Sequence, residues 1–169
     1  ALNMASLYDL PVIWICENNH YAIGTSLERS SAEKSLAKKA GKAYNMPSHV
    51  VDGMDFFKME SVAQRAMDRA RDGGGPTFIE AKCYRYRGHS MSDPDTYRDE
   101  KEKEYWKERD PIPRIKKTIQ YDFEVPDEEF EEVDEWVDEE LDEAVEFARS
   151  GEELPPERLS EDLYVHENE

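Results

Sequence analysis

The pattern of apolar and polar positions divides the first half of the chain into alternating strands and helices. Six consecutive residues at 11–16, PVIWIC, are typical of a strand buried on both faces of a parallel sheet. Runs rich in β-forming residues follow at 48–51 and 77–86. Apolar side chains at helical spacing separate them, at 31–44 and 56–72. This order predicts an α/β fold, with a parallel sheet and helices on both faces.

The pattern becomes helical after residue 99. A helix starts near Glu100, and Asp110 precedes a further helix that begins at Pro111. A long helix at 127–149 has an apolar stripe and otherwise acidic faces; the stripe consists of Phe130, Val133, Val137, Leu141, Ala144 and Ala148. We interpret it as an outer helix that packs by this stripe, and a dedicated binding helix is the alternative.

These patterns predict three regions. Residues 1–99 form the carboxyl-terminal part of a larger α/β domain, residues 100–150 its helical extension, and residues 151–169 an acidic tail. The opening ALNMASLYDL is typical of the last turns of a helix, so we expect further strands upstream of Ala1 in a longer protein.

The net charge of −18 is concentrated at one end of the chain. Residues 121–169 contain 22 acidic and 2 basic side chains, whereas residues 1–120 are nearly balanced. An acidic region repels phosphate backbones, so we expect no nucleic-acid partner, and no apolar segment suggests a membrane partner. Cys16 and Cys83 lie in apolar runs without metal-site spacing, which is typical of small core residues in a reducing compartment.

A pair of asparagines follows the first predicted strand. Ligands of open α/β sheets bind beyond the carboxyl ends of the strands, where Asn18 and Asn19 are placed. Their oxygens, with those of the following loop backbone, suit a hard cation such as Mg²⁺. The alternative is that both are turn residues, a frequent role of asparagine.

A second polar motif, YRYRGHS, ends the third predicted strand. Arg85 and Arg87 can neutralise phosphate oxygens, Gly88 frees the backbone, and His89 offers a proton near neutral pH. The alternative is a solvated strand end with a surface histidine. Because both motifs belong to the same edge of the sheet, together they predict a site for a magnesium-bound diphosphate.

ENNHYAIGTS at 17–26 and YRYRGHSMSDP at 84–94 resemble the alpha subunits of the pyruvate dehydrogenase component of 2-oxo acid dehydrogenase complexes. The resemblance extends from Ala1 to about residue 147 and includes the segments VDGMD and WKERDPIPR. These enzymes use thiamine diphosphate and Mg²⁺. The resemblance therefore implies part of a thiamine-diphosphate-binding fold.

The resemblance also assigns metal ligands. Asn19 is expected to ligate Mg²⁺ through its side chain, and Tyr21 through its main-chain carbonyl. The family motif opens with Gly-Asp-Gly, which we expect upstream of Ala1 together with its aspartate ligand. Residues 1–169 alone would then have an incomplete metal site.

The remaining site residues follow from the second motif. Arg85 matches an arginine near the diphosphate, and His89 matches a histidine that contacts the cofactor and serves acyl transfer. Ser26 and Ser90 match positions that kinases modify in mitochondrial relatives, and they are candidates for phosphorylation.

The implied activity is oxidative decarboxylation of pyruvate with transfer of the acetyl group to lipoyl. The implied partners are a beta subunit, in an α₂β₂ assembly, and the lipoyl domain of the acyltransferase component. We expect the cytoplasm in a prokaryote, and the mitochondrial matrix or plastid in a eukaryote. The alternatives are a branched-chain 2-oxo acid or acetoin dehydrogenase alpha subunit, or a non-catalytic acidic interaction module.

The long loop at 87–99 is expected to be mobile until cofactor binds. It is rich in small polar residues, and Met91 is almost its only apolar anchor. Arg85, Arg87 and Arg98 are expected to repel one another without a diphosphate between them.

Overall fold

The structure is a computed structural model that describes residues 1–161. Two units divide the chain, one of residues 1–119 and one that begins at Gln120. The strands of the first unit are β1 (Ile13–Asn18), β2 (Tyr21–Ala22), β3 (Thr25–Ser26), β4 (Ser48–Asp52) and β5 (Thr77–Lys82). Its helices are α1 (Leu2–Leu7), α2 (Leu27–Ser30), α3 (Leu36–Tyr44), α4 (Phe56–Arg71) and α5 (Glu100–Lys107), while α6 (Pro111–Phe123) includes the boundary.

A parallel sheet in the order β1-β5-β4 confirms the α/β prediction. In its register, Ile15 lies opposite Ile79, and Val50 lies opposite Glu80. Successive side chains of the central strand β5 point to opposite faces. Phe78 packs with the α3 alanines, Ala37 and Ala40.

The other face of β5 carries Ile79 and Ala81, which pack with Ala66 of α4 and Val51 of β4. Helices therefore cover both faces of the sheet, as predicted. The helix at α4 also begins where the sequence places it, because the Asp55 side chain accepts the Lys58 N–H (3.2 Å).

The bounds and burial of two strands differ from the prediction. β1 is shifted toward Asn18, and Ile15 is 53% exposed. Among the described residues β1 pairs only with β5, so β1 is at the edge of the described sheet and is not buried on both faces there. β5 ends at Lys82, well before Tyr86, because its partners β1 and β4 both end opposite that residue.

The helix predicted at 31–44 starts later, at Leu36. The sequence SSAE at 30–33 matches a capping box, but it does not start the helix: the Ser31 hydroxyl donates to the Glu33 carbonyl instead (2.7 Å). Ser35 is the cap, and its hydroxyl accepts the Lys38 N–H (3.1 Å). The short helix α2 precedes this segment.

The second unit contains the long helix α7 (Asp127–Ser150) and a 3₁₀ helix (Pro156–Ser160). Side chains of the predicted stripe, such as Val133, Val137 and Leu141, are exposed within the described residues, and packing of the stripe stays a prediction. Residues 162–169 of the predicted tail lie outside the described residues, and the three predicted regions remain a prediction. Within residues 1–161, no helix is long and apolar enough to cross a membrane.

Candidate functional site

Asn18 and Asn19 stand at the carboxyl end of β1, and each side chain closes a turn of its own backbone. Asn18 Oδ1 accepts the His20 N–H (3.1 Å), and Asn19 Oδ1 accepts the Tyr21 N–H (3.1 Å). The turn role of the pair is therefore real. An amide oxygen has two lone pairs, so the Asn19 oxygen keeps capacity for a cation while the turn holds it in place.

The segment at 18–26, here called the asparagine loop, continues as a β2–β3 hairpin in which Tyr21 lies opposite Ser26. His20 (φ 70°) and Ile23 (φ 54°) occupy the left-handed region, which is costly for a β-branched residue. With Cys16 and Leu36, the loop lines a cleft of about 190 Å³. Strained backbone beside a cleft is typical of a ligand site.

A buried carboxylate supports this loop, and the sequence prediction missed it. Glu80 is fully buried in β5. Its Oε1 accepts the Asn18 Nδ2 amide (2.7 Å), and its Oε2 accepts the Ser35 hydroxyl (3.0 Å) and the Ala37 N–H (2.9 Å). The available signal was a lone acidic residue inside an apolar run of a central strand.

The two sequence motifs meet at this edge, as predicted. Arg85 donates from Nη2 to the Ile23 carbonyl (3.0 Å) and to the Tyr97 hydroxyl (2.7 Å). The rings of Tyr21 and Tyr97 lie 5.7 Å apart. A third bond, from Nε to the Arg87 carbonyl (3.0 Å), completes the support of the Arg85 guanidinium.

The segment at 87–99, the histidine loop, is built around Asp93. Asp93 Oδ2 accepts the His89 N–H (2.7 Å) and the Tyr97 hydroxyl (2.8 Å), and Oδ1 accepts the Asp95 N–H (2.9 Å). These bonds, led by the one from His89, lower the pKa of Asp93 to about 2. A Cβ at Gly88 would lie 3.0 Å from the Asp93 backbone oxygen, so this turn favours glycine. The His89 side chain is exposed.

The expectation of mutually repelling arginines is wrong for Arg98. Its side chain is buried and donates from Nη2 to Asp95 Oδ2 (2.6 Å) and from Nη1 to the Arg85 carbonyl. The guanidinium also lies 5.2 Å from the ring centroid of Tyr84. Arg98 thus stabilises the loop from inside, because its charge is paired with Asp95 and not left facing Arg85.

Helix α5 adds aromatic and acidic groups that the sequence prediction did not assign to the site. Trp106 stacks on Tyr84 (5.4 Å, 5°) and contacts His20 (5.4 Å). The Tyr21 hydroxyl donates to Glu102 (3.0 Å). Burial, and then this bond, raise the pKa of Tyr21 to about 12, so the phenol keeps its proton at neutral pH.

Burial and a neighbouring positive charge also set the protonation of His20. Burial, and then Lys82, lower the pKa of His20, so the neutral imidazole is favoured. Its Nε2 atom is buried without a hydrogen-bond partner in residues 1–161. This histidine is consequently a packing partner of Trp106.

The donor chemistry of the described chain suits part of a magnesium site. Residues 1–161 contain no cluster of three or more His, Cys, Asp or Glu side chains that could hold a metal. The asparagine loop instead offers neutral oxygens, which Mg²⁺ accepts when carboxylates or phosphates complete its shell. The residues fit a metal that is shared with other ligands.

We expect Asp93→Asn to loosen the histidine loop at neutral pH. The two carboxylate oxygens of Asp93 accept three donors, whereas an asparagine side chain has one oxygen and an NH₂ group that cannot accept. Since the folded pKa of Asp93 is lowered, its stabilising effect is complete above about pH 4 and is lost as pH falls toward about 2. Hydrogen exchange of the His89 amide, corrected for intrinsic rate, should rise in wild type over that acid range and be raised already at pH 7 in the variant.

The matched control for this prediction is Asp134→Asn, the same change at an exposed position of α7. It should leave exchange in the histidine loop unchanged. Wild-type exchange rates in Asp93→Asn at pH 7 would show that the Asp93 contacts do not hold the loop.

Comparisons with known proteins are consistent across the chain. A family model described as dehydrogenase E1 component matches residues 1–157. The "Pyruvate dehydrogenase E1 component subunit alpha" of Porphyra purpurea is 46% identical over 149 residues, which cover 88% of this chain and 43% of the relative. The chloroplastic "subunit alpha-3" of Arabidopsis thaliana is 43% identical over 164 residues, covering 97% of this chain and 38% of the relative.

A bacterial relative gives the same result. The "Pyruvate dehydrogenase E1 component subunit alpha" of Zymomonas mobilis is 42% identical over 167 residues, covering 98% of this chain and 46% of the relative. The chain spans less than half the length of each of these three relatives.

Proposed function

Because this chain belongs to the dehydrogenase E1 component family, we propose that it is the carboxyl-terminal part of a pyruvate dehydrogenase alpha subunit. The reaction is thiamine-diphosphate-dependent oxidative decarboxylation of pyruvate, with transfer of the acetyl group to lipoyl. One observation carries the proposal beyond the names of the relatives: the asparagine loop and the histidine loop meet through Arg85 at the carboxyl edge of the sheet. That edge is where α/β sheets bind ligands.

Thiamine diphosphate, when bound, supplies the carbon nucleophile and the electron sink that decarboxylation of a 2-oxo acid requires. Asn19 would hold Mg²⁺ through its amide oxygen, and Tyr21 would do so through its main-chain carbonyl. Both groups belong to backbone turns that fix their positions. The Arg85 guanidinium would lie near the diphosphate, oriented by its bonds to Ile23 and Tyr97.

His89 would contact the cofactor and move a proton during acyl transfer. Its side chain is exposed, and its backbone N–H is bonded to Asp93. The imidazole is therefore accessible while the backbone that carries it is held in place. Fixed attachment limits the number of positions that the imidazole can sample. This is the condition for efficient proton transfer.

The partners in this proposal are the beta subunit, in an α₂β₂ assembly, and the lipoyl domain of the acyltransferase component. Its location is the cytoplasm or an organelle such as the plastid; relatives include bacterial proteins and two named as chloroplastic. Ser26 and Ser90 are the proposed phosphorylation positions. Ser90 is exposed, with its hydroxyl 3.2 Å from that of Ser92, and a phosphate there would add about −1.5 to −2 charges beside the diphosphate.

The proposed substrate can be tested by measuring carbon dioxide release by the complete protein, assembled with its partner subunit. We expect release of carbon dioxide from pyruvate to exceed that from 3-methyl-2-oxobutanoate, and to require thiamine diphosphate and Mg²⁺. An assembly without added cofactor is the control. Preference for the branched substrate would assign a branched-chain enzyme. No activity toward either acid, with or without added cofactor, would favour an acidic interaction module.

A further inference from the structure

We propose that Glu80 is a positioning residue: its buried carboxylate orients the Asn18 side chain and thereby fixes the backbone that presents Asn19 and Tyr21 to the metal. The inference rests on the proposed function, because the magnesium role of the loop belongs to that proposal. Glu80 itself would touch neither metal nor cofactor. It acts through Asn18, with which it shares a 2.7 Å hydrogen bond.

The burial of Glu80 requires a compensating set of donors. The side chain is fully buried in the central strand, where an apolar residue would normally pack. Three donors converge on its two oxygens, from Asn18, from the Ser35 hydroxyl and from the Ala37 N–H. The carboxylate is thus a junction between β1, the start of α3 and the asparagine loop.

The direction of these bonds determines the orientation of the Asn18 amide. A carboxylate only accepts, so the Nδ2 group of Asn18 must face Glu80. Its Oδ1 atom then points away and accepts the His20 N–H (3.1 Å). His20 is left-handed (φ 70°), and the next turn is the one that Asn19 closes on Tyr21. An incorrectly oriented Asn18 would therefore disturb the loop at its first residue.

The variant Glu80→Gln removes the acceptor that faces Asn18 Nδ2, with almost no change in side-chain volume. Two donors, from Ser35 and Ala37, face Oε2, so the glutamine oxygen would take that side and its amine would face Asn18. The Nδ2 group of Asn18 would then face another NH₂ group, with no acceptor between them, unless Asn18 flips its amide. A flipped Asn18 places Nδ2 against the His20 N–H, and the conflict moves into the asparagine loop.

Adding Asn18→Asp to Glu80→Gln should repair the network. One carboxylate oxygen of residue 18 would accept the glutamine amine, and the other would accept the His20 N–H. The double variant keeps every donor satisfied and the total charge unchanged. A role of Glu80 limited to holding α3 would give no reason for a change at position 18 to restore metal binding.

The experiment uses the complete protein assembled with its partner subunit and freed of cofactor. Calorimetry measures Mg²⁺ affinity in the presence of thiamine diphosphate, and hydrogen exchange of residues 17–26 reports the loop without cofactor. We expect Glu80→Gln to weaken Mg²⁺ binding by about 10-fold, the lower end of the range for direct partners of metal ligands because Glu80 acts through Asn18, and to speed exchange at the His20 amide. The double variant should recover most of both losses, and Glu60→Gln, an exposed change on α4, should cause neither.

Two outcomes would overturn the proposal: folded Glu80→Gln with wild-type affinity and exchange, or a folded double variant as impaired as the single one. If Glu80→Gln does not fold, the double variant decides in the same way. If wild type fails to bind thiamine diphosphate with Mg²⁺, the proposed function fails. The exchange measurement then still decides whether Glu80 positions the loop.

Discussion

Replacing His89 by alanine in the complete protein is expected to slow acetyl transfer to lipoyl by about 10²- to 10⁴-fold, the usual range for loss of a general acid–base group. Decarboxylation should be affected far less. The reason is geometric: the exposed imidazole stands on a loop bonded at its backbone to Asp93, where it can meet an incoming lipoyl group. Carbon dioxide release to an artificial electron acceptor and reductive acetylation of a lipoyl domain measure the two half-reactions separately.

His49→Ala provides the matched control for this prediction. His49 is an exposed histidine of β4, outside both loops. Its replacement should change neither half-reaction. Equal losses in both half-reactions of His89→Ala would assign His89 to cofactor positioning and exclude the acyl-transfer role.

Replacing Arg98 by methionine is expected to destabilise the histidine loop by about 2–3 kcal/mol. Removing one partner of a buried ion pair leaves the other charge uncompensated, which typically costs about 3–5 kcal/mol. The expected loss is smaller here because Lys103 remains 3.2 Å from Asp95. Methionine keeps the unbranched apolar part of the side chain and removes the guanidinium with its charge and its bonds to Asp95 and the Arg85 carbonyl.

Hydrogen exchange of the Asp95 and His89 amides in the complete protein gives the free energy of loop opening. Arg87→Met is the control, since Arg87 belongs to the same loop and is exposed. It should change the free energy of loop opening by no more than about 0.5 kcal/mol, as is usual for a surface substitution. Equal effects of the two variants would mean that burial of Arg98 contributes nothing specific.

The periodic parts of the fold follow directly from the sequence. Strand and helix periods place β4, α4 and α7 within a residue or two of their observed bounds, because the spacing of apolar residues is a local property of the sequence. The start of α3 could not be predicted in this way. The segment at 30–33 matches a capping box, but the helix starts at Leu36, where Glu80, which is distant in sequence, accepts the Ser35 hydroxyl and the Ala37 N–H.

Burial along β1 shows the same limit. A run of apolar residues indicates that a strand can be buried, but exposure depends on which strands lie beside it. Within the described residues β5 is the single partner of β1, and Ile15 is consequently half exposed. The apolar stripe of α7 is a similar case, since periodicity identifies the stripe without identifying what it contacts.

For the candidate site, the sequence alone indicated the edge of the sheet where the two motifs lie, and the bond from Arg85 to the Ile23 carbonyl confirms that they meet there. Parallel strands bring their carboxyl ends together, which is why motifs distant in sequence share this edge; the roles of Asn19, Arg85 and His89 remain predictions. Only the tertiary structure decided which charges are exposed and which are paired. Arg98 is buried against Asp95, and Glu80 is buried among three donors, because hydrogen bonds and ion pairs between distant segments depend on three-dimensional distance and leave no period in the sequence.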